Sequence, residues 1–167
     1  MVTKGMAWVR ILVGAVWLNG ALEKLLNPHF PQQFAQSLKA GGFISQAPSF
    51  FRVFMEGLVA PNAETFAQLV RFVELSLGTA LLLGLLTNLA SLGSVAQSLL
   101  IMLSQGGVAF GTGLGAPVFL NVDLIVALLS VVVLLSPEAK TFSVDAALAK
   151  RNPRLSTLLI NRSKQLE

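Results

Sequence analysis

The 167-residue chain contains no cysteine. That absence excludes disulfides, thiol redox chemistry, covalently attached haem and iron–sulfur ligation by the chain itself. There is one histidine, His29, so a haem held by two histidines of this chain is excluded too. Charge is also scarce. Only 12% of residues are Asp, Glu, Lys or Arg, against roughly 25% in soluble domains, while 54% are hydrophobic. A soluble fold needs the missing charge to cover its surface, whereas a fold solvated by lipid does not. No Gly-rich strand-to-helix turn suggests a dinucleotide, and no stretch is polar enough for a soluble flavin domain. The chain is therefore expected to carry no metal and no cofactor of its own.

What is present is apolar sequence in long runs. A spanning helix needs about 20 mostly apolar residues, and four segments qualify: about Met6 to Leu26, Ala63 to Leu86, Leu89 to Ser104 and Val118 to Ser136. The expected fold class is an all-α integral membrane protein, a four-transmembrane-helix bundle with short interfacial helices. Thr87-Asn88 marks a tight turn, and the Gly-rich run from Gly106 to Pro117 cuts the uncharged stretch between Glu74 and Asp123. The apolar stretch after Lys4 is too long for a cleaved signal and ends in Glu23-Lys24, so it is expected to remain as the first helix. Residues 1–136 then form the membrane domain, with an external segment over about 28–61, and residues 137–167 form a basic tail.

That external segment is too long for a bare loop. Phe30, Phe34 and Leu38 recur at helical spacing up to Gly41-Gly42. After Pro48-Ser49 a second run places Phe51, Phe54, Met55 and Leu58 on one face, and Pro61 ends it. Two readings stand open: helices lying in the membrane interface, or helices capping the bundle as core. In the tail, Ser143 is placed to cap a helix and Asp145 to complement its dipole. Pro153 limits that helix, and Leu155, Leu158 and Leu159 with Arg162 suggest a second amphipathic piece.

Net charge is +4, and its position matters more than its sum. No Lys or Arg occurs between Arg71 and Lys140, whereas Lys140, Lys150, Arg151, Arg154, Arg162 and Lys164 follow Pro137. Beside so apolar a body, a basic tail points to lipid headgroups rather than nucleic acid. Basic residues favour the cytoplasmic side, so both termini are expected there, in a bacterial cytoplasmic or equivalent energy-converting membrane. Arg10, Lys150, Arg151 and Arg154 are the candidates for contact with lipid phosphates.

Ionisable groups in membrane helices are costly and usually face the interior in pairs. Glu23, Lys24, Arg71, Glu74 and Asp123, with Asn19 and Asn121, are expected to gather in the outer half of the bundle. Arg71 and Glu74 are three apart, close enough to meet. Such a cluster can be a structural network, a pocket for a quinone or other small ligand, or a path for protons or ions. If it carries chemistry, Glu74 is the candidate catalytic acid and Lys24 and Arg71 the groups that polarise a quinone carbonyl. His29 reads as a surface histidine, with quinone ligation or proton carriage as its alternative.

These residues carry a resemblance. Arg10-x3-Gly14 followed by Asn19-Gly20-x3-Lys24-Leu25 resembles the first helix of DoxX-like membrane proteins. The run Glu74-x3-Gly78-x5-Gly84-Leu-x-Thr87 resembles that family's second helix. Asn121 before the last helix and Ser143-Val-Asp145-Ala-Ala-Leu148 after it match as well. Asn88 departs from the pattern, since members often carry a basic residue there. The resemblance implies four transmembrane helices. It also implies kinship with membrane subunits of thiosulfate:quinone oxidoreductase and with partners of other redox enzymes.

The leading expectation is an accessory or quinone-interacting subunit of a larger membrane oxidoreductase or energy-converting complex. Such a chain would be partnered by lipid and another membrane protein, and inactive alone. A stand-alone enzyme passing electrons from a thiosulfate-type donor to quinone is one rival. A small proton-coupled transporter with Glu74 as coupling acid is the other.

Overall fold

The computed structural model describes residues 2–39, 43–105, 122–152 and residue 159. Among them the chain is all-helical, with no strand. Helix α1 (Val2–Leu26) leads into the short α2 (Phe30–Ser37), a 3-10 turn at Phe43–Gln46 and α3 (Ser49–Phe54). A π turn at Met55–Val59 and a 3-10 turn at Ala60–Asn62 then join α3 to α4 (Ala63–Leu83). α5 (Thr87–Ser104), α6 (Val122–Leu135), a 3-10 turn at Pro137–Lys140 and α7 (Val144–Arg151) complete the described order. Three helical stretches are long and apolar enough to cross a membrane: Gly5–Leu26, Ser49–Leu83 and Thr87–Ser104. α6 is shorter, and the residues expected to extend it before Val122 lie outside the described set.

Three boundaries differ from expectation, the first being that Thr87-Asn88 opens α5 instead of forming the turn before it, where Leu86 stands in the left-handed region at φ 48°. Pro61 does not end a helix; helical turns continue from Ser49 through Pro61 to Leu83. Proline lacks an N–H, but at the start of a helical turn that donor has no partner to lose. α4 also stops at Leu83 rather than Leu86, because Gly84 turns into the left-handed region at φ 66°. Glycine reaches that region without the Cβ penalty, and its N–H closes the helix onto Ala80 O.

α1 packs along α4, and α5 along α6, with α1 also touching α6 and the Pro137–Lys140 turn. Small residues set the α1–α4 distance. A Cβ on Gly78 would lie 2.6 Å from the backbone nitrogen of Leu18, and one on Gly14 2.8 Å from that of Leu82. Val13, Trp17, Leu77, Leu81, Ala90 and Val126 fill the centre. Large apolar side chains also point outward, Trp8 and Phe72 each at 68% exposure. On a soluble protein such a surface would aggregate, but in lipid it is the solvated face. The connection from α2 to α4 builds a core of its own from Leu38, Ile44, Ala47, Phe51, Met55 and Val59, against Phe66 and Leu103. The capping role expected as one alternative thus has a packed basis, while Phe50, Val53, Phe54 and Leu58 stay exposed.

Candidate functional site

The C-terminal end of α1 carries the site. Arg71 of α4 donates from Nε to Lys24 O (2.9 Å) and from Nη2 to Asn27 O (2.6 Å). Helix ends leave carbonyls without partners, and a cation there also complements the helix dipole. Its guanidinium lies 5.2 Å from the centre of the Phe30 ring, within cation–π range. Arg71 therefore does not pair with Glu74 despite the helical spacing; Nη1 meets Gln68 Oε1 instead.

Glu74 pairs with Lys24, Nζ to Oε2 at 2.8 Å. The acid is 2% exposed and the lysine 27%. A Cβ on Gly20 would sit 3.2 Å from that oxygen and 3.5 Å from Nζ, so bare backbone at Gly20 makes room for the pair. Beside it lies a cavity of about 210 Å³ lined by Trp17, Gly20, Lys24, Glu74, Gln105 and Asp123, among others. Lys24 also lines a second cavity of about 300 Å³, between α1 and α2, with Glu23, Asn27, Phe30, Gln33 and Ser37.

Of the residues expected to gather, Lys24, Glu74 and Asp123 meet at one cavity, and Glu23 stands at the other. Arg71 joins through backbone carbonyls. Asn19 does not join: it is exposed on α1 and lines neither cavity. Asn121 lies outside the described residues. His29 is exposed, its backbone N–H bonded to Asn27 Oδ1 at 3.0 Å. Among the described residues no group of acids and histidines has the geometry to hold a metal ion.

The other end of α1 corrects a second expectation. Arg10 does not reach lipid phosphates; it is fully buried. Its Nη1 donates to Leu81 O (3.0 Å) and Nη2 to Phe142 O (3.3 Å), which anchors the end of α4 and the start of the tail together. Asp145 is buried as well and accepts from Leu86 N (2.8 Å) and Thr87 N (2.7 Å). Expected to serve its own helix, it caps α5 from across the bundle, while Ser143 caps α7 as expected, accepting from Ala146 N at 3.0 Å. Lys140 is 1% exposed and donates to Leu134 O at 2.8 Å. Burial pushes its ammonium down to about 8, against the opposing pull of Asp145 and Glu138. Lys150 and Arg151 are exposed, and Arg154 lies outside the described residues.

A buried chain in the middle went unforeseen. Trp17 Nε1 donates to Ser94 Oγ at 2.6 Å, Ser94 and Ser130 hydroxyls meet at 2.7 Å, and Ser130 donates to Val126 O. Ser91, Ser94 and Ser98 at helical spacing were the available signal for a polar stripe on α5.

A family profile described as "TQO small subunit DoxD" matches residues 6–164. No curated protein and no solved structure matches the chain.

Proposed function

The chain belongs to the DoxD family, and from that premise we propose that it is a quinone-interacting, accessory subunit of a larger membrane oxidoreductase. The family's description as a small subunit of a TQO, a thiosulfate:quinone oxidoreductase, supports a place in such a complex. The observation that carries the reading is the Lys24–Glu74 pair set against a cavity beneath Trp17 and Asp123. About 210 Å³ falls below the roughly 300–1,000 Å³ of drug-sized sites, which suits a head group whose tail stays among lipid.

A bound quinone supplies the two-electron acceptor that this chain lacks. Lys24 offers an ammonium donor to a carbonyl oxygen in the cavity. Glu74 holds that ammonium in place and offers a carboxylate for proton exchange, while Trp17, fixed by Ser94, forms a flat apolar wall. Electrons come from a partner subunit, and the exposed α3 face with Phe50 and Val53 is available for docking it. The arrangement in the membrane is a four-helix bundle, α6 completing the fourth span, with both termini cytoplasmic. Cysteines introduced at Ser45 and Ser163 should then label from opposite sides of intact cells; labelling of both from outside would overturn that topology.

Trp8 and Trp17 are the only tryptophans, which gives a direct binding test. In the Trp8→Phe variant, a short-tailed quinone should quench Trp17 emission saturably, and Glu74→Gln should weaken the effect. Linear quenching equal to that of a Trp17→Phe variant, which reports Trp8 alone, would rule out the cavity as a quinone site.

A further inference from the structure

We propose that the cavity between α1 and α2 is the water-side half of a proton route to Glu74, with Lys24 as its gate. The proposal deepens the quinone reading and rests on it only for where the proton goes next. Glu74 is only 2% exposed, and among the described residues its one polar contact is Lys24 Nζ. Among the described residues Lys24 alone lines both cavities. One side chain therefore spans the distance between a buried carboxylate and a polar opening of about 300 Å³.

The local geometry fits a gate. An ammonium has three donors. Among the described residues two go to Glu74 Oε2 (2.8 Å) and Gly20 O (3.3 Å), leaving the third for water in the α1–α2 cavity. The Phe30 ring, 5.9 Å from Nζ, favours a cation at that mouth. Glu23, Asn27, Gln33 and Ser37 give the cavity polar walls that hold water. The charged groups acting on Glu74 are Lys24, Asp123 and Glu23, whereas Arg71 is turned to the carbonyls of α1. Lys24 passes one proton to the Glu74 carboxylate, leaving an amine and a carboxylic acid, and the amine takes a replacement from cavity water. The net change is one proton delivered as hydronium through the cavity to Glu74, with neutral water left behind, and no electron moves.

The absence of cysteine makes the test clean. Gln33→Cys and, as a second variant, Ser37→Cys each place a single thiol at the cavity of the full-length chain in lipid nanodiscs. After a pH jump, infrared spectroscopy follows the carboxylic-acid band that Glu74→Gln removes. A bulky maleimide at either position should slow that band at least about 100-fold, the scale of a positioned proton transfer. Lys24→Met should slow it as much, and the same label at Ala147→Cys in α7 should leave it unchanged. An unaltered rate with the cavity blocked, or no titrating band that Glu74→Gln removes, would overturn the route. Quinone quenching of Trp17 in the same samples tests the binding reading separately. Its absence beside a label-sensitive proton rate would keep the route and remove the quinone.

Discussion

The two ends of the bundle both hold charged side chains inside an apolar fold, but they point them at different partners. At the Arg10 end the side chains of Arg10, Asp145 and Lys140 bond to backbone: Leu81 O and Phe142 O, Leu86 N and Thr87 N, Leu134 O. At the Lys24 end Arg71 does the same for α1, but Lys24 and Glu74 meet each other beside open space. Charges bonded to helix ends satisfy groups that would otherwise be orphaned in lipid, and hold three segments in one arrangement. An acid–base pair at a cavity leaves both members able to change partner. The first arrangement fixes the fold, and the second is suited to a ligand.

That contrast breaks first at Asp145. Its replacement by alanine strands two backbone donors at the start of α5, so the loss should be about 3–6 kcal/mol, from two hydrogen bonds to a charged group at about 1.5–3 kcal/mol each. Unfolding in mixed detergent micelles measures it; a loss no larger than that of Glu74→Ala would erase the distinction between the ends. Glu74→Ala comes next, at about 1.5–3 kcal/mol for a hydrogen bond to a charged group, since Lys24 retains access to water. Glu56→Ala, on an exposed position in the α3–α4 connection, should stay within about 0.5 kcal/mol.

Lys140 sharpens the comparison through pH. Its folded value of about 8 lies below the ordinary 10.5. Below pH 8 both states carry the proton and burial of the charge opposes folding in full. Between about 8 and 10.5 only the unfolded state keeps it, so stability rises with pH across that window and levels off above it. Lys140→Met should flatten the rise; an equal slope in wild type and variant would show that Lys140 is not the group responsible. A modest effect is expected midway between the ends. Ser94→Ala removes the partner of the Trp17 indole and should cost about 1 kcal/mol, with a shift in Trp17 emission in the Trp8→Phe background as its signature.

Much of this protein was legible in its sequence. Lack of charge and the length of the apolar runs dictated helices in lipid, because an unpaired backbone in hydrocarbon leaves helices among very few solutions. Ser143 announced its cap, and the concentration of Glu74, Lys24 and Asp123 toward one end followed from span order. Partner choice was not legible. Helical spacing allowed Arg71 to meet Glu74, yet the exposed carbonyls at the end of α1 offered it better-placed acceptors and left Glu74 to Lys24. Arg10 read as a headgroup contact because a charge near a helix start usually escapes to the interface. Only the fold of α7 back onto the Gly84–Thr87 turn, with Asp145 N bonded to Gly84 O at 2.9 Å, buried it. Composition and periodicity act along one helix at a time and set what enters the membrane; which charge meets which partner depends on segments far apart in sequence, such as Arg10 and Phe142, brought together by packing.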